Sequence, residues 1–284
     1  MTLPEVAPAN AENAAAWNGD EGGYWAEQDL LFNQWVARYD APFFEAAGLE
    51  PAHRVLDIGC GTGQTTRTAA KAATDGVALG VDVSIPMIDV ARKRAAEEGV
   101  PNASFDAGDA QIYPFAEQSC DVVISRYGSM FFADAATAFA NFGQAVRPGG
   151  RLAMLVWRPL ADNEWMSEFR RIVAGGRDLP TPPPNAPGPF AFADPAYTRA
   201  VLTGAGFDAV ELAPIDAPVN MGPNADAAFT FLCGMGFVKF MLSTLGDVIR
   251  ARTCDGLRES IVEHASPQGV FYDSGAWLVT ARRT

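Results

Sequence analysis

Histidine is nearly missing from this 284-residue chain; only His53 and His264 occur. Two imidazoles exclude a histidine-rich metal centre and leave few bases that work at neutral pH. Cysteine is also sparse. Cys60, Cys120, Cys233 and Cys254 are never spaced as C-x-x-C, so neither a zinc site nor a disulfide framework is expected. Free thiols suit a reducing cytoplasm, the expected compartment. Positive charge is the third shortage, with 21 Lys and Arg against 34 Asp and Glu, a net charge of −13 and a pI near 4.6. An acidic surface repels phosphate backbones, so nucleic acid is not the expected partner; the same charge also serves plain solubility. The first 30 residues hold no Lys or Arg and no apolar run of signal length, so no secretion signal is read. The strongest apolar run, Ala227 to Leu245, is broken by Thr230, Lys239 and Ser243. A lysine at the bilayer midplane is costly, so the run reads as a buried helix lining a pocket and not as a membrane anchor.

What is present is a glycine-rich turn between two acidic strand ends. Val55-Leu56-Asp57-Ile58-Gly59-Cys60-Gly61-Thr62-Gly63 is a short apolar strand running into glycines at every second position. A second strand ends in Asp82-Val83-Ser84, with Asp82 19 residues after Gly63. Backbone without Cβ atoms lets a ligand approach closely, and a carboxylate there suits a ribose diol. A dinucleotide fingerprint needs G-x-G-x-x-G, but position 64 is Gln64. The acid at Asp57 also suits an ammonium better than a pyrophosphate, because two anions repel. S-adenosylmethionine (SAM) joins an amino-acid tail, a sulfonium, a ribose and an adenine without phosphate, and matches this pattern.

Three further segments follow in order: Gly108-Asp109-Ala110-Gln111-Ile112-Tyr113-Pro114-Phe115, Asp121-Val122-Val123-Ile124-Ser125, and Arg147-Pro148-Gly149-Gly150-Arg151-Leu152. With the glycine turn they cover roughly residues 50 to 157. Over that range the chain resembles the class I SAM-dependent methyltransferases, in particular their small-molecule (methyltransferase type 11) branch. The resemblance implies a Rossmann-like α/β fold with a seven-stranded, mainly parallel sheet whose last strand is antiparallel. It implies SAM as cofactor, S-adenosylhomocysteine as product and a small-molecule acceptor. It assigns Asp57, Gly59, Gly61 and Gly63 to the methionine tail, Asp82 to the ribose, and Asp109 and Ala110 to the adenine, with Cys60, Val83 and Gln111 as further cofactor-binding residues. Ser125 and Arg126, at the end of the fourth strand, would sit beneath the cofactor, with Arg126 serving either the acceptor or a structural ion pair. Many relatives carry a histidine after strand four. Here the chain reads Tyr127-Gly128-Ser129-Met130-Phe131-Phe132, so histidine-dependent chemistry at that place is not expected.

Periodicity organises the chain. Residues 1 to about 20 read as loose. Apolar residues at three- and four-residue spacings predict a helix from Asp29 to Ala47, bent or broken at Pro42. Strands are expected at Arg54–Ile58, Ala78–Val83, Ala103–Asp106, residues 121–125, residues 151–157, from Phe207 and at Trp277–Ala281. Helices fall between them, one capped by Ser84. The whole reads as one domain. Residues 1–50 form an N-terminal helical cover, 51–157 the cofactor core, 158–193 and 220–266 two insertions forming a substrate lid, and 267–284 the final strand.

The candidate bases are His264 and Glu263, which precede the final antiparallel strand, and Arg126 is a third polar candidate. A solvated helix end is the plainer reading of His264. His53 precedes strand one on the edge away from the cofactor. Trp25, Tyr127, Phe131, Trp157, Trp165 and Phe229 are expected as a set to wall an acceptor pocket, although core packing is the plainer reading of each ring alone. The function read from this is methyl transfer to a small, mostly apolar or aromatic metabolite. The rival readings are a non-catalytic SAM-binding partner protein, an NAD(P)-dependent oxidoreductase and a methyltransferase acting on protein. Oligomeric state is not legible.

Overall fold

The glycine turn and its acid-tipped neighbours are placed by a doubly wound sheet. In the computed structural model, which describes residues 4–284, β1 (Arg54–Ile58), β2 (Val77–Asp82), β3 (Ala103–Ala107), β4 (Cys120–Arg126) and β5 (Val146–Trp157) run parallel. β6 (Phe207–Asp216) follows. A small antiparallel sheet of β7 (Val219–Gly222), β8 (Ala265–Ser266) and β9 (Gly269–Tyr272) comes next. The last strand is β10 (Gly275–Arg283), which inserts antiparallel between β5 and β6. The main sheet therefore has seven strands in the order β3-β2-β1-β4-β5-β10-β6. This is the Rossmann-like class I methyltransferase arrangement expected from the sequence. Val55, Leu56, Ile58, Val122, Val123, Ile124 and Val156 are buried along the central strands, as a sheet covered on both faces requires. The strand order reverses about β1, which leaves a crevice at the carboxyl ends of β1, β2 and β4.

Helices cover both faces. Four precede the sheet: α1 (Ala11–Trp17), α2 (Asp20–Glu27), α3 (Asp29–Trp35) and α4 (Asp40–Ala47). The expected long helix from Asp29 is thus two helices joined by a short 3-10 turn, Ala37–Tyr39. The break comes before Pro42, which lies in the first turn of α4, where a missing N–H removes no helical bond. α5 (Gln64–Ala72), α6 (Ile85–Glu97) and α7 (Ala135–Ala145) are the crossovers between strands. Ser84 does sit at the start of α6, but it makes no side-chain cap. Its hydroxyl donates instead to the Trp17 carbonyl at 2.6 Å.

α8 (Glu164–Ala174) and α9 (Pro195–Gly204) follow β5, and α10 (Ala225–Gly234), α11 (Gly236–Ser243) and α12 (Asp247–Glu263) follow β7. Among the described residues no single helix is long and apolar enough to cross a membrane; α10 and α11 meet at 78°. The small sheet of β7, β8 and β9 was not legible in the sequence, because its strands are only two to four residues long.

Candidate active site

The turn after β1 is built around alternating left-handed glycines. Gly59 has φ +66° and Gly63 has φ +76°. A Cβ on Gly59 would lie 2.7 Å from the Gly128 Cα, and one on Gly63 would lie 2.5 Å from a Phe105 ring carbon. Both positions therefore demand glycine for conformation and for space. Val81 accepts from the Gly59 and Cys60 N–H groups at 2.8 and 3.3 Å, and this ties the turn to β2. Asp82 finishes the tie: Oδ2 accepts from the Gly61 N–H at 2.8 Å and Oδ1 from the Ser84 N–H at 2.9 Å. Burial pushes the Asp82 carboxyl above its ordinary value, against the pull of those backbone donors.

Asp57 lies beneath the turn and is fully buried. Its Oδ2 accepts from the Thr65 and Thr66 hydroxyls, both at 2.6 Å, whereas Oδ1 is buried without a partner. Burial pushes this carboxyl up to about 6, although the two threonine bonds and the Arg126 charge pull the other way. Such a half-satisfied buried acid is costly and marks a place where a cation or a water belongs.

The crevice above this turn encloses about 1130 Å³ of empty space, its open mouth included. Gly59, Cys60, Gly61, Asp82, Val83, Asp109, Ala110 and Arg126 lie on its wall, together with Trp25, Tyr127 and Phe131. Several residues singled out from the sequence lie elsewhere. Gly63 serves as the N-cap of α5. The Ser125 hydroxyl is buried, donating to the Ile58 carbonyl at 2.8 Å and so stitching β4 to β1. The Gln111 side chain faces the N-terminal segment and accepts from the Asn10 amide at 3.0 Å. Asp57 itself is under the floor and off the wall.

The aromatic wall differs from the expected one. Trp157 is 2 % exposed and stacks on Tyr127 with centroids 4.1 Å apart, behind the wall. Trp165 is 1 % exposed, packs edge-on against Trp35, and donates its N–H to Asn163. Phe229 is covered by the Arg258 guanidinium, 3.6 Å from its centroid. These three belong to packing. Trp17, Phe32, Trp35 and Phe132 take their places in the crevice. The insertions at 158–193 and 220–266 contribute no lining residue. They buttress the N-terminal helices from outside, for example where Phe231 of α10 packs against Phe32 of α3.

The structure does not bring His264 or Glu263 to the crevice. His264 stacks on Tyr272 at 3.9 Å, with its ring nitrogens 2.7 Å from the Ser260 carbonyl and 3.2 Å from Glu164. The β8–β9 hairpin intervenes between it and β10, which the expected direct run into the last strand did not include. Glu263 is exposed. Arg126 lies on the wall, but its guanidinium is engaged by Asp40 at 2.6 Å and Asn33 at 2.7 Å. Among the described residues no cluster of metal-ligating side chains occurs.

The N-terminal segment, read as loose from the sequence, is fastened over the crevice. Asn10, Asn13, Ala14 and Trp17 all line it. The available signal was the trio Asn10, Asn13 and Asn18 flanking Trp17, polar amides at turn-like spacings in a segment otherwise rich in alanine.

Tyr127 completes the inner wall. It has φ +60°, a conformation that costs a non-glycine residue of order 1–3 kcal/mol and that clusters at functional sites. Its hydroxyl is buried without a partner, as is the indole N–H of Trp35. Burial holds the Tyr127 phenol well above 10, so it is a proton donor and not a base.

A crevice at the reversal point of a β3-β2-β1-β4-β5-β10-β6 sheet, floored by an acidic glycine turn, is the site of a class I methyltransferase fold. Comparison with known proteins agrees. Residues 55–150, about a third of the chain, match the family described as methyltransferase domain, and the sheet that carries them has the class I SAM-dependent methyltransferase fold. Aklanonic acid methyltransferase DauC of Streptomyces sp. (strain C5) is 35% identical over 145 residues, covering 47% of this chain and 66% of that protein. Demethylmenaquinone methyltransferase of Renibacterium salmoninarum is 33% identical over 143 residues, covering 50% and 57%. The chain thus spans about half to two thirds of the length of these curated relatives. The crystal structure of the YcgJ protein from Bacillus subtilis superposes with a TM-score of 0.57 at 19% identity, covering 87% of this chain and 98% of that one. Phosphoethanolamine N-methyltransferase 2 of Haemonchus contortus, solved with S-adenosyl-L-methionine, gives 0.58 at 19%, covering 98% and 60%. At these identities the structural likeness speaks for the fold.

Proposed function

We propose that this chain transfers a methyl group from SAM to a small, mostly apolar or aromatic metabolite by in-line displacement. The observation that carries the reading is the pair of buried carboxylates on the crevice wall, Asp82 and Asp109, flanking a glycine turn that lacks dinucleotide spacing. The residues present fit the cofactor. The unpartnered Asp57 Oδ1 beneath the turn suits an ammonium reached through water. The close approach of Gly59 to Gly128 leaves bare backbone where the tail would lie.

Asp82 would accept from the ribose hydroxyls with the lone pairs not used by Gly61 and Ser84. Asp109 and Ala110 would border the adenine. When bound, SAM supplies an electrophilic methyl on a cationic sulfur that departs as a neutral thioether. The chain's own part is then to exclude water and align the acceptor, and orientation of this kind supplies about 7–11 kcal/mol of a barrier. Trp25, Phe32, Trp35, Tyr127 and Phe131 form a wall suited to a flat apolar acceptor, and aromatic faces also favour a sulfonium. No general base is assigned, because the titratable phenol on the wall stays protonated and His264 is elsewhere. An acceptor atom with an available lone pair, or one that ionises readily by itself, is therefore favoured. Relatives named for aklanonic acid and demethylmenaquinone support a small-molecule acceptor.

The test is label transfer. The purified chain is incubated with methyl-labelled SAM and a panel of flat phenols, quinols and aromatic amines. Label in the organic extract is the expected result. Label found only in protein would overturn the acceptor class.

A further inference from the structure

The N-terminal segment is sewn to the loops after β2, β3 and β4, three of the four that border the cofactor crevice. After β2, the Asn18 amide donates to the Val83 carbonyl at 2.9 Å and its oxygen accepts from the Ile85 N–H at 3.0 Å, while Ser84 bonds the Trp17 carbonyl. After β3, the Ala7 N–H and the Asn10 amide donate to Asp109 Oδ2 at 3.0 and 2.9 Å. The same amide also reaches Asp109 Oδ1 at 3.1 Å and Gln111 Oε1 at 3.0 Å. After β4, the Asn10 oxygen accepts from the Ala133 N–H at 2.8 Å, and the Asn13 amide donates to the Phe131 carbonyl at 3.2 Å. Asn10 is 3 % exposed, and its side-chain amide bridges the loops after β3 and β4.

Asp109 shows what this does. A carboxylate offers about four acceptor positions. Here contacts come from the Ala7 N–H, from the Asn10 amide on both oxygens, and from the Gln111 N–H at 3.0 Å on Oδ1. The strap therefore fixes the carboxylate that would border the adenine, and its own residues Asn10, Asn13, Ala14 and Trp17 roof that end of the crevice. An adenosine lying between Asp82 and Asp109 would be enclosed by residues 7–18 on the side away from the sheet.

From this juxtaposition we propose that residues 7–18 are a strap gating cofactor exchange, with Asn10 as its latch and as the positioning residue for Asp109. The strap must release the loops after β2, β3 and β4 before an adenosine can enter or leave, and must close to complete the site. The proposal rests on the cofactor reading given above. A gate of this kind scales entry and exit together by the fraction of time it stands open, and affects affinity far less.

The experiment is stopped-flow tryptophan fluorescence of S-adenosylhomocysteine binding, giving association and dissociation rates for the full chain. Trp17 and Trp25, on or beside the strap, provide the signal. Asn10→Ala and Asn18→Ala are compared with Asn102→Ala, which removes three amide contacts to Ala70, Ala73 and Gly76 carbonyls far from the crevice. The two strap variants are expected to raise both rates, by about tenfold for Asn10→Ala given the bonds it breaks, with a smaller change in Kd. Asn10→Asp sets a second carboxylate against Asp109 and is expected to exceed the alanine variant. Faster dissociation with unchanged association would overturn the gate, since it would make the strap only a wall. Equal effects from Asn102→Ala would overturn it as general loosening. A wild-type chain that binds no S-adenosylhomocysteine would sink the cofactor reading and the gate together, whereas binding with unmoved rates would sink the gate alone.

Discussion

Replacing Asp82 by alanine separates the structural role of this carboxylate from the ribose-binding role proposed for it. Its inner lone pairs hold the Gly61 and Ser84 N–H groups at 2.8 and 2.9 Å; on the proposed reading its outer ones, on the crevice wall, would take the ribose. A charge-assisted hydrogen bond contributes about 1.5–3 kcal/mol net, so loss of the ribose contact weakens cofactor binding roughly tenfold to a hundredfold. The two orphaned N–H groups add a stability loss of about 1–3 kcal/mol, limited because the vacated space opens to the crevice. Asp82→Asn keeps an oxygen for one backbone donor and falls between the alanine variant and the wild type. The assay is calorimetric titration with S-adenosylhomocysteine on protein shown to be folded by circular dichroism, with thermal melts alongside. An Asp82→Ala chain that melts cooperatively and binds with unchanged Kd would refute the ribose assignment.

Asp57 gives a prediction in pH. Its native carboxyl releases its proton near 6, whereas the ordinary value is 3.8. Between those values the native state holds the extra proton, so stability declines as pH rises through that window and stays lower above it. Asp57→Asn is therefore expected to be more stable than wild type at pH 8, by about 1–3 kcal/mol, with the gain fading below pH 4, while its cofactor affinity falls; denaturant melts at both pH values check this, and a variant less stable at pH 8 than at pH 4 relative to wild type counts against it. Gly59→Ala drives a Cβ to within 2.7 Å of the Gly128 backbone at φ +66°. A loss of about 2 kcal/mol or more and a collapsed cofactor site are expected by chemical denaturation and titration. His264→Ala removes a ring that stacks on Tyr272 away from the crevice. It should lower the melting temperature slightly and leave methyl transfer at saturating cofactor within about twofold, a factor worth about 0.4 kcal/mol of barrier; a hundredfold loss of turnover would return His264 to the chemistry.

The sheet was legible because its signals are local. β1, β2 and β3 are short runs with an acid or glycine at or just after the carboxyl end, and the motifs around Gly59, Asp109 and Gly149 come in a fixed order. A helical cover over residues 1–50 was expected, but the fastening of residues 7–18 was not legible, for a related reason. Asn10, Asn13 and Asn18 act on residues from 65 to 123 positions away, and no period along the chain records such a bond. The aromatic residues fell between these cases. Trp25, Tyr127 and Phe131 and also Trp157 and Trp165 are flat apolar residues near strand ends, but only packing decides which ring faces the crevice and which stands behind it. Trp157 stacks behind Tyr127, and Trp165 packs edge-on behind Trp35. His264 was misplaced because β8 and β9, too short to show a pattern, turn the chain aside before β10.

The central claim is that the crevice between Asp82 and Asp109 receives the adenosine of a sulfonium methyl donor. A crystal structure of the chain grown with S-adenosylhomocysteine tests it most directly. The expected map shows the ribose diol on the Asp82 carboxylate, the adenine beside Asp109 and Ala110, and the amino-acid tail over Gly59 and Gly61. Density for the ligand at any other place, or a crevice that stays filled only by solvent at saturating ligand, would contradict the account.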